Sequence, residues 1–274
     1  MKYWLGSLFQ RNAHSIVRRV YFFALRRLFG VFAKRQAVYF LSINNRRYKR
    51  VVFGDSREAA DIESALLGFA PGEFFPALIS RHENELLVEF VEGRAFEPAR
   101  AADRAGLAAF LGTLYGKGSI ETDPERMHRR LRVDLRFLVD AGLIDQALHD
   151  ALARRAERIA PEIVRSGLDY VDPVAKNFVV NEDRLMAIDV ESLSSNTALG
   201  TGIAKACVHW LEPRHKADFI GRVEQVAGLD LSPQIDFVEL CFLVGWTKRK
   251  LLQGKKRSIR IDLLQALAAE LDGT

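Results

Sequence analysis

The feature that most constrains this chain is a short β-rich segment within a half that otherwise has helical periodicity. Asp172 and Asn177 are separated by four residues, and an apolar run follows Asn177 directly. A polar turn leads to a second apolar run, which ends at Asp189 and Glu191. This pattern predicts a β-hairpin. Because the polar side chains lie at the ends of its strands, we expect them to converge on one point.

Two carboxylates and an amide gathered in this way have the chemistry of a site for Mg²⁺ and nucleotide phosphates. One carboxylate would orient an attacking hydroxyl, while the amide and the second carboxylate would hold the metal against the phosphates. Asp172 and Asn177 are also common turn residues, so the site hypothesis depends on the hairpin and Asp189 as much as on them.

The N-terminal half has the order strand, strand, helix, strand, strand. Two β-rich runs flank Asn44-Asn45, which predicts a hairpin. A helix follows as far as about Phe69, and two further strands are predicted over residues 77–80 and 85–91. After Gly93 the pattern predicts long helices over residues 101–115, 124–141 and 144–165, with Pro161 able to bend or restart the third, and again from about residue 202.

The Asp-x4-Asn spacing, the hairpin and Ile188-Asp189-Val190-Glu191 resemble the catalytic and metal-binding segments of the protein-kinase-like superfamily. The resemblance is closest to its aminoglycoside-phosphotransferase and choline-kinase branch, and bacterial lipopolysaccharide-core kinases of heptose or Kdo sugars are similar. It implies a bilobal α+β fold with a small antiparallel β lobe over residues 37–92 and a larger, mainly helical lobe over 93–274.

The resemblance also implies roles for the N-terminal half. Lys49 would neutralise nucleotide phosphates and Glu63 would form an ion pair with it. Arg50 is adjacent, and strand alternation turns only one of the two inward, so the choice between Lys49 and Arg50 stays open. Backbone groups of three hinge residues would bind adenine: Glu89, Phe90 and Val91.

In the C-terminal half, the resemblance makes Asp172 the residue that orients the acceptor hydroxyl, with Asn177 and Asp189 as metal ligands. Lys176 would touch the γ-phosphate or be a solvated loop lysine, and Glu191 would be a metal ligand or a surface acid. ATP and Mg²⁺ are the implied cofactors. A pseudokinase without turnover and a soluble aminoglycoside- or choline-type kinase remain alternatives.

Basic residues are unevenly distributed along a chain of net charge +5. Residues 1–36 contain eight Lys and Arg and no acid, and seven more basic residues lie between Lys248 and Arg260. Residues 14–34 have the period of a basic amphipathic helix, which suits either an anionic membrane surface or docking on the main domain.

Such charge favours an anionic or membrane-borne acceptor, so the expected partner is a sugar or glycolipid of the lipopolysaccharide core. We expect a cytoplasmic protein, peripheral on the inner face of the bacterial inner membrane. Nucleic acid is an unlikely partner because the chain has no recognition motif and no stacking platform among its basic residues.

Overall fold

The computed structural model describes residues 36–269, so the helix predicted over 14–34 lies outside the described residues. The first half forms a four-stranded sheet of order β1-β2-β4-β3, with β4 antiparallel to both neighbours, and one helix. Its elements are β1 (Ala37–Ile43), β2 (Arg46–Val52), α1 (Ser56–Leu67), β3 (Leu78–His82) and β4 (Glu85–Glu89).

Local chemistry explains these elements. Asn44 and Asn45 have φ of 50° and 60°, the left-handed conformation that two-residue hairpin turns require and that asparagine tolerates. Asp55 caps α1, because its Oδ1 accepts the N–H of Glu58 at 2.8 Å. On one face of the sheet the central strands β2 and β4 bury Val51, Leu86 and Val88 completely.

The second half is mainly helical and carries two small three-stranded sheets. Its helices are α2 (Ala101–Tyr115), α3 (Glu125–Asp140), α4 (Gln146–Ile159), α5 (Thr201–His209), α6 (Pro213–Ala227), α7 (Ser232–Leu252) and α8 (Ile261–Ala269). One sheet has the order β10-β7-β6 and the other β5-β8-β9. Their strands are β5 (Arg94–Ala95), β6 (Ser119–Thr122), β7 (Val164–Tyr170), β8 (Phe178–Asn181), β9 (Arg184–Ala187) and β10 (Leu193–Ala198).

The predicted bilobal α+β architecture is confirmed, but the prediction of a helix through residue 165 is wrong. That helix, α4, ends at Ile159, just before Pro161, and β7 begins at Val164. Strands β6 and β10 were not predicted either. β7 is buried on both faces and contains Gly167, so it lacks the alternation that marks a half-buried strand. Its pairing with β6 and β10, which lie far away in sequence, decides its conformation.

Two apolar cores hold these elements together. The first joins the four-stranded sheet to the helical half through rings such as Phe75, Phe110, Tyr170 and Phe178. The second lies among α3, α4, α7 and α8. The site strands β7 and β8 are therefore anchored in the core that spans both halves. Among the helices described between residues 36 and 269, none is long and apolar enough to cross a bilayer.

Helices α2 and α6 pack closely at Gly112, which yields a stability prediction. A Cβ at this position would lie 2.6 Å from Val226 Cβ and 2.8 Å from the carbonyl oxygen of Val223. Gly112→Ala should therefore lower the free energy of unfolding by about 1–3 kcal/mol, because the overpacked helices must separate.

Gly221→Ala in α6 is the matched control, since a Cβ there meets nothing within 4 Å. It should stabilise the protein by about 0.5–1 kcal/mol through helix propensity alone. Urea unfolding of both variants measures the difference. Equal effects would contradict the close packing of α2 on α6.

Candidate active site

Lys49 reaches from the small β lobe to the hairpin of the large lobe. It faces the same side of β2 as Val51 and is 9% exposed. Its Nζ donates to the carbonyl oxygen of Ile188 at 2.8 Å. The same ammonium lies 2.9 Å from Oε2 of Glu191 and 3.3 Å from Oδ1 of Asp189. The structure therefore brings together three of the predicted site residues.

Arg50 lies on the opposite face of the strand and does not compete for this position. Its guanidinium makes two hydrogen bonds to Glu85, at 3.0 and 2.5 Å. Alternation along β2 thus turns Lys49 inward and leaves Arg50 to a cross-strand pair.

The expected ion pair between Glu63 and Lys49 is not present, and this is a correction to the sequence-based prediction. The Glu63 carboxylate accepts a hydrogen bond from Nε of Arg81 on β3. Glu191 lies beside Lys49 instead, with a side chain only 3% exposed. Arg81, which is solvent-accessible on β3, is a local partner for Glu63, and no sequence pattern marks that competition.

Asp172 and Asn177 lie on one turn after β7. The Asn177 Nδ2 group donates to the backbone oxygen of Asp172 at 2.8 Å and to its Oδ2 at 3.3 Å. Asp172 is the more accessible of the two, with a side chain 38% exposed. A reacting group could therefore reach the Asp172 carboxylate. In these two hydrogen bonds Asn177 uses only its amide nitrogen, which leaves its amide oxygen available to a ligand.

Backbone hydrogen bonds join this turn to the Asp189 segment on both sides. The N–H of Ile188 donates to the carbonyl oxygen of Asn177 at 2.9 Å. On the other side, the N–H of Val171 donates to the carbonyl oxygen of Ser192 at 2.9 Å. The Ser192 hydroxyl donates in turn to Oδ2 of Asp189 at 2.8 Å. The residues adjoining Asp172 and Asp189 are thus held in fixed register.

Burial and the nearby charges set the protonation of the two hairpin carboxylates. Burial opposes ionisation of Asp189, but a hydrogen bond from Glu191 and the Lys49 ammonium outweigh it and hold the pKa of Asp189 below its ordinary value. Burial, together with the hydrogen bond to Asp189, raises the pKa of Glu191. Of the two carboxylates beside Lys49, Asp189 is therefore the one that ionises more readily.

Asp169 anchors the turn that carries Asp172 and Asn177, and no sequence motif marks it. It is fully buried. Its Oδ1 accepts the Tyr115 hydroxyl at 3.0 Å, and its Oδ2 accepts the N–H of Gly202 at 2.9 Å. Residue 202 must be glycine, because a Cβ there would lie 2.5 Å from the carbonyl oxygen of Tyr170. Asp169 thus binds the N-terminus of α5 to the strand that ends just before Asp172.

Lys205 is a second residue that the sequence analysis missed. Its Nζ lies 3.2 Å from Oδ1 of Asp172, and its side chain is 14% exposed. Lys176, expected either to touch the γ-phosphate or to be a solvated loop lysine, is exposed on the turn. No sequence motif links a lysine on α5 to Asp172. The contact arises from the packing of α5 against β7, which only the structure shows.

No protein-family model matches the sequence, and no curated protein sequence matches it. Among solved structures, choline kinase LicA from Streptococcus pneumoniae superposes with a TM-score of 0.59 at 13% identity, covering 94% of this chain and 99% of that one. A thermostable mutant of aminoglycoside phosphotransferase APH(4)-Ia, in ternary complex with ADP and hygromycin B, gives 0.60 at 13% identity over 91% and 98%. Macrolide 2′-phosphotransferase MphH from Brachybacterium faecium gives 0.57 at 14% identity over 89% and 90%. The chain has the fold of choline kinase and of the aminoglycoside and macrolide phosphotransferases.

In this phosphotransferase fold, the donor set around the hairpin fits Mg²⁺. Asp189 supplies a charged carboxylate and Asn177 an amide oxygen, which are hard ligands of the kind that Mg²⁺ prefers. Within the described residues there is no cluster of three or more His, Cys, Asp or Glu side chains suited to a metal. Mg²⁺ usually keeps few protein ligands and completes its shell with phosphate oxygens and water, so this sparse set is sufficient.

The three residues predicted to bind adenine lie at the end of β4 and just after it. The N–H groups of Glu89 and Phe90 already donate to the carbonyl oxygens of Ala77 and Arg47, at 2.9 and 3.1 Å. In the part of the chain described here, the Val91 N–H has no backbone acceptor. Of the three predicted hinge residues, Val91 is therefore the one able to donate to an adenine ring.

The inward position of Lys49 predicts how nucleotide binding responds to mutation. Lys49→Met should weaken binding of an adenine nucleotide by about tenfold or more, or ~1.4 kcal/mol, because the ammonium beside the hairpin carboxylates is lost. Arg50→Met, the neighbouring matched control, should bind as wild type does. A competition titration with a fluorescent nucleotide measures both, and equal losses would refute the assignment of Lys49.

Asp169 predicts a pH dependence of stability. Burial raises its pKa to about 6, above the ordinary value of 3.8, despite its hydrogen bonds. Between these two pKa values the folded state retains a proton on Asp169 that the unfolded state releases. The contribution of Asp169 to the free energy of unfolding therefore falls as pH rises from about 4 to 6, by up to ~3 kcal/mol. Asp169→Asn should remove this part of the dependence of unfolding free energy on pH. Urea unfolding of both proteins from pH 4 to 7 tests it, and parallel profiles would exclude the assignment.

Proposed function

We propose that this protein is an Mg-ATP-dependent phosphotransferase that phosphorylates a hydroxyl of a small molecule or glycolipid. One observation carries the proposal. Lys49 of the small lobe meets Asp189 and Glu191 of the large lobe, beside the Asn177–Asp172 turn. A cation, a charged carboxylate, an amide oxygen and an accessible carboxylate are the groups that phosphoryl transfer requires.

In this proposal, Asp172 accepts the proton of the acceptor hydroxyl as its oxygen forms a bond to the γ-phosphorus and the bond to the β-phosphate oxygen breaks, which releases ADP. Lys49 neutralises phosphate charge of the nucleotide. Asn177 and Asp189 hold Mg²⁺, which when bound offsets the charge on the transferring group. Lys205 orients Asp172 through its ion pair with Oδ1.

Two substitutions separate these roles. Asp189→Asn should weaken Mg-dependent nucleotide binding by about tenfold or more, ~1.4 kcal/mol, because an amide lacks the charge that attracts the metal. Asp172→Asn should leave nucleotide affinity close to wild type and reduce transfer by about 10²–10⁴-fold, the usual value of a general base. Calorimetry with AMP-PNP, with and without Mg²⁺, measures the first effect, and phosphate transfer to an acceptor panel measures the second.

The alternative is a nucleotide-binding module without turnover. The pairing of Glu63 with Arg81, away from Lys49, favours it, as does Tyr170 in the position where the superfamily usually has His. Such a module would be stabilised by nucleotide and would consume no ATP with any acceptor. Equal loss of nucleotide binding in Asp172→Asn and Asp189→Asn would instead contradict the separate roles given to the two carboxylates.

We propose a sugar of the lipopolysaccharide core as the acceptor, and an anionic membrane surface as the place where the enzyme meets it. The support is the charge distribution: residues 1–36 hold eight basic residues and no acid. Each basic residue near an anionic surface contributes about 1 kcal/mol. A soluble aminoglycoside- or choline-type acceptor remains the alternative.

The membrane proposal predicts that binding to vesicles needs acidic lipid and weakens as salt is raised. Replacing Arg18, Arg19, Arg26 and Arg27 by Gln should reduce binding by several kcal/mol, at about 1 kcal/mol per residue. The same number of Gln replacements at exposed Lys and Arg of the helical lobe is the control. Sedimentation with phosphatidylglycerol vesicles decides: equal partitioning of wild type and the first variant would exclude a membrane role for the segment.

A further inference from the structure

A group of basic side chains surrounds Trp246 beside Asp172, and neither the nucleotide nor the metal accounts for it. The Nζ of Lys250 lies over the indole ring, 5.0 Å from its centroid, and that of Lys205 lies 5.9 Å from it. The imidazole of His209 packs edge-on to the same ring at 6.0 Å. We call these four residues the Trp246 cluster. Because Lys205 also pairs with Asp172, the cluster borders the carboxylate that would orient the acceptor.

Lys250 is the informative member because the other partly buried lysines nearby are neutralised. On the same helix, Lys248 pairs with Asp134. From α6, Lys216 reaches Asp236 and Glu239. Within residues 36–269, Lys250 has no ion pair with an acid. A partly buried cation without a counter-charge is costly, so such a residue is expected to have a use beyond stability.

The local field around Lys250 is positive. Burial lowers its pKa first, and repulsion from Lys205, Lys255 and Arg249 lowers it further, while attraction to Asp172 opposes these effects in part. Burial and the charge of Lys205 likewise lower the pKa of His209, which leaves a neutral imidazole able to donate a hydrogen bond. A cationic acceptor such as choline would be repelled here, whereas an anion would relieve the repulsion among these side chains.

We propose that the acceptor carries an anionic group, a phosphate or a carboxylate, which Lys250, Lys205 and His209 bind next to the hydroxyl that Asp172 activates. This rests on the proposed function, since it assigns the acceptor side of the same site. Lys205 contacts both Asp172 and the Trp246 ring, so the anionic group and the reacting hydroxyl belong to one sugar residue or to adjacent ones. Phosphorylated sugars and sugar acids, whether free or borne by a lipid, have this chemistry.

The test measures, by mass spectrometry, the rate at which each lysine of the full chain is acylated. The measurement is made at constant ionic strength, with and without bound Mg-AMP-PNP. The probes are inorganic phosphate, glucose 6-phosphate, glucose and choline. Lys256, an exposed lysine just beyond the same helix, is the internal control. An anion at about ten times its dissociation constant leaves about one site in eleven free, so it should slow acylation of Lys250 about tenfold and leave Lys256 unchanged.

Glucose and choline should protect neither lysine. The proposal is overturned if phosphate slows the acylation of Lys250 and Lys256 equally, or if choline protects Lys250. Phosphatidylglycerol vesicles form a further arm: protection by vesicles but not by inorganic phosphate supports a lipid-borne anion, protection by free phosphate supports a soluble one, and protection by neither counts against the site.

Variants provide a second readout. Phosphate should raise the melting temperature of wild type and of Arg257→Gln, an exposed basic control, but not that of Lys250→Gln. An equal rise in all three would refute the site, and the acylation rates of the wild type decide if Lys250→Gln does not fold. If calorimetry shows no binding of Mg-AMP-PNP, the proposed function is refuted. The anion site is tested separately, by the acylation rates measured without nucleotide.

Discussion

A buried lysine holds the two lobes in contact at the site. Lys49 leaves the small sheet, hydrogen-bonds the backbone at Ile188 and pairs with both hairpin carboxylates. Removing three such groups from water costs several kcal/mol per ion, and well-packed apolar residues would often serve stability as well or better. The cluster is therefore better explained by the proposed chemistry than by the stability it supplies, because its charges have the arrangement that a metal and phosphates would need.

The geometry around that cluster depends on an uncharged scaffold. Tyr170 and Phe178 flank the turn of Asp172 and Asn177 and pack against each other with ring centroids 5.1 Å apart, in the core shared by both lobes. Below them, Asp169 joins β7 to the start of α5 through the Gly202 N–H. The turn that carries Asp172 therefore has little freedom, and a carboxylate fixed in place before the reaction needs no reorganisation during it.

The charged groups of the site form two sets. Asp189 and Glu191 lie beside Lys49, whereas Lys205 and Lys250 lie against the Trp246 ring. The ion pair of Lys205 with Asp172 joins the second set to the turn that carries Asn177. An acceptor that brings its own negative charge would complement this arrangement, as electrostatic complementarity favours the correct partner and its orientation.

The sequence by itself determined the parts of this protein that depend on local chemistry. The Asn44-Asn45 turn, the Asp55 cap, and the spacing of Asp172, Asn177 and Asp189 around a hairpin all follow from residues close together in the chain. Contacts between distant residues were decided only by the tertiary structure. β7 became a strand because β6 and β10 pair with it, Glu63 turned to Arg81, and Lys205 reached Asp172 from a helix about 30 residues further along. Such pairings depend on which surfaces meet when the core forms. A local sequence pattern does not show which residues distant in the chain will come into contact.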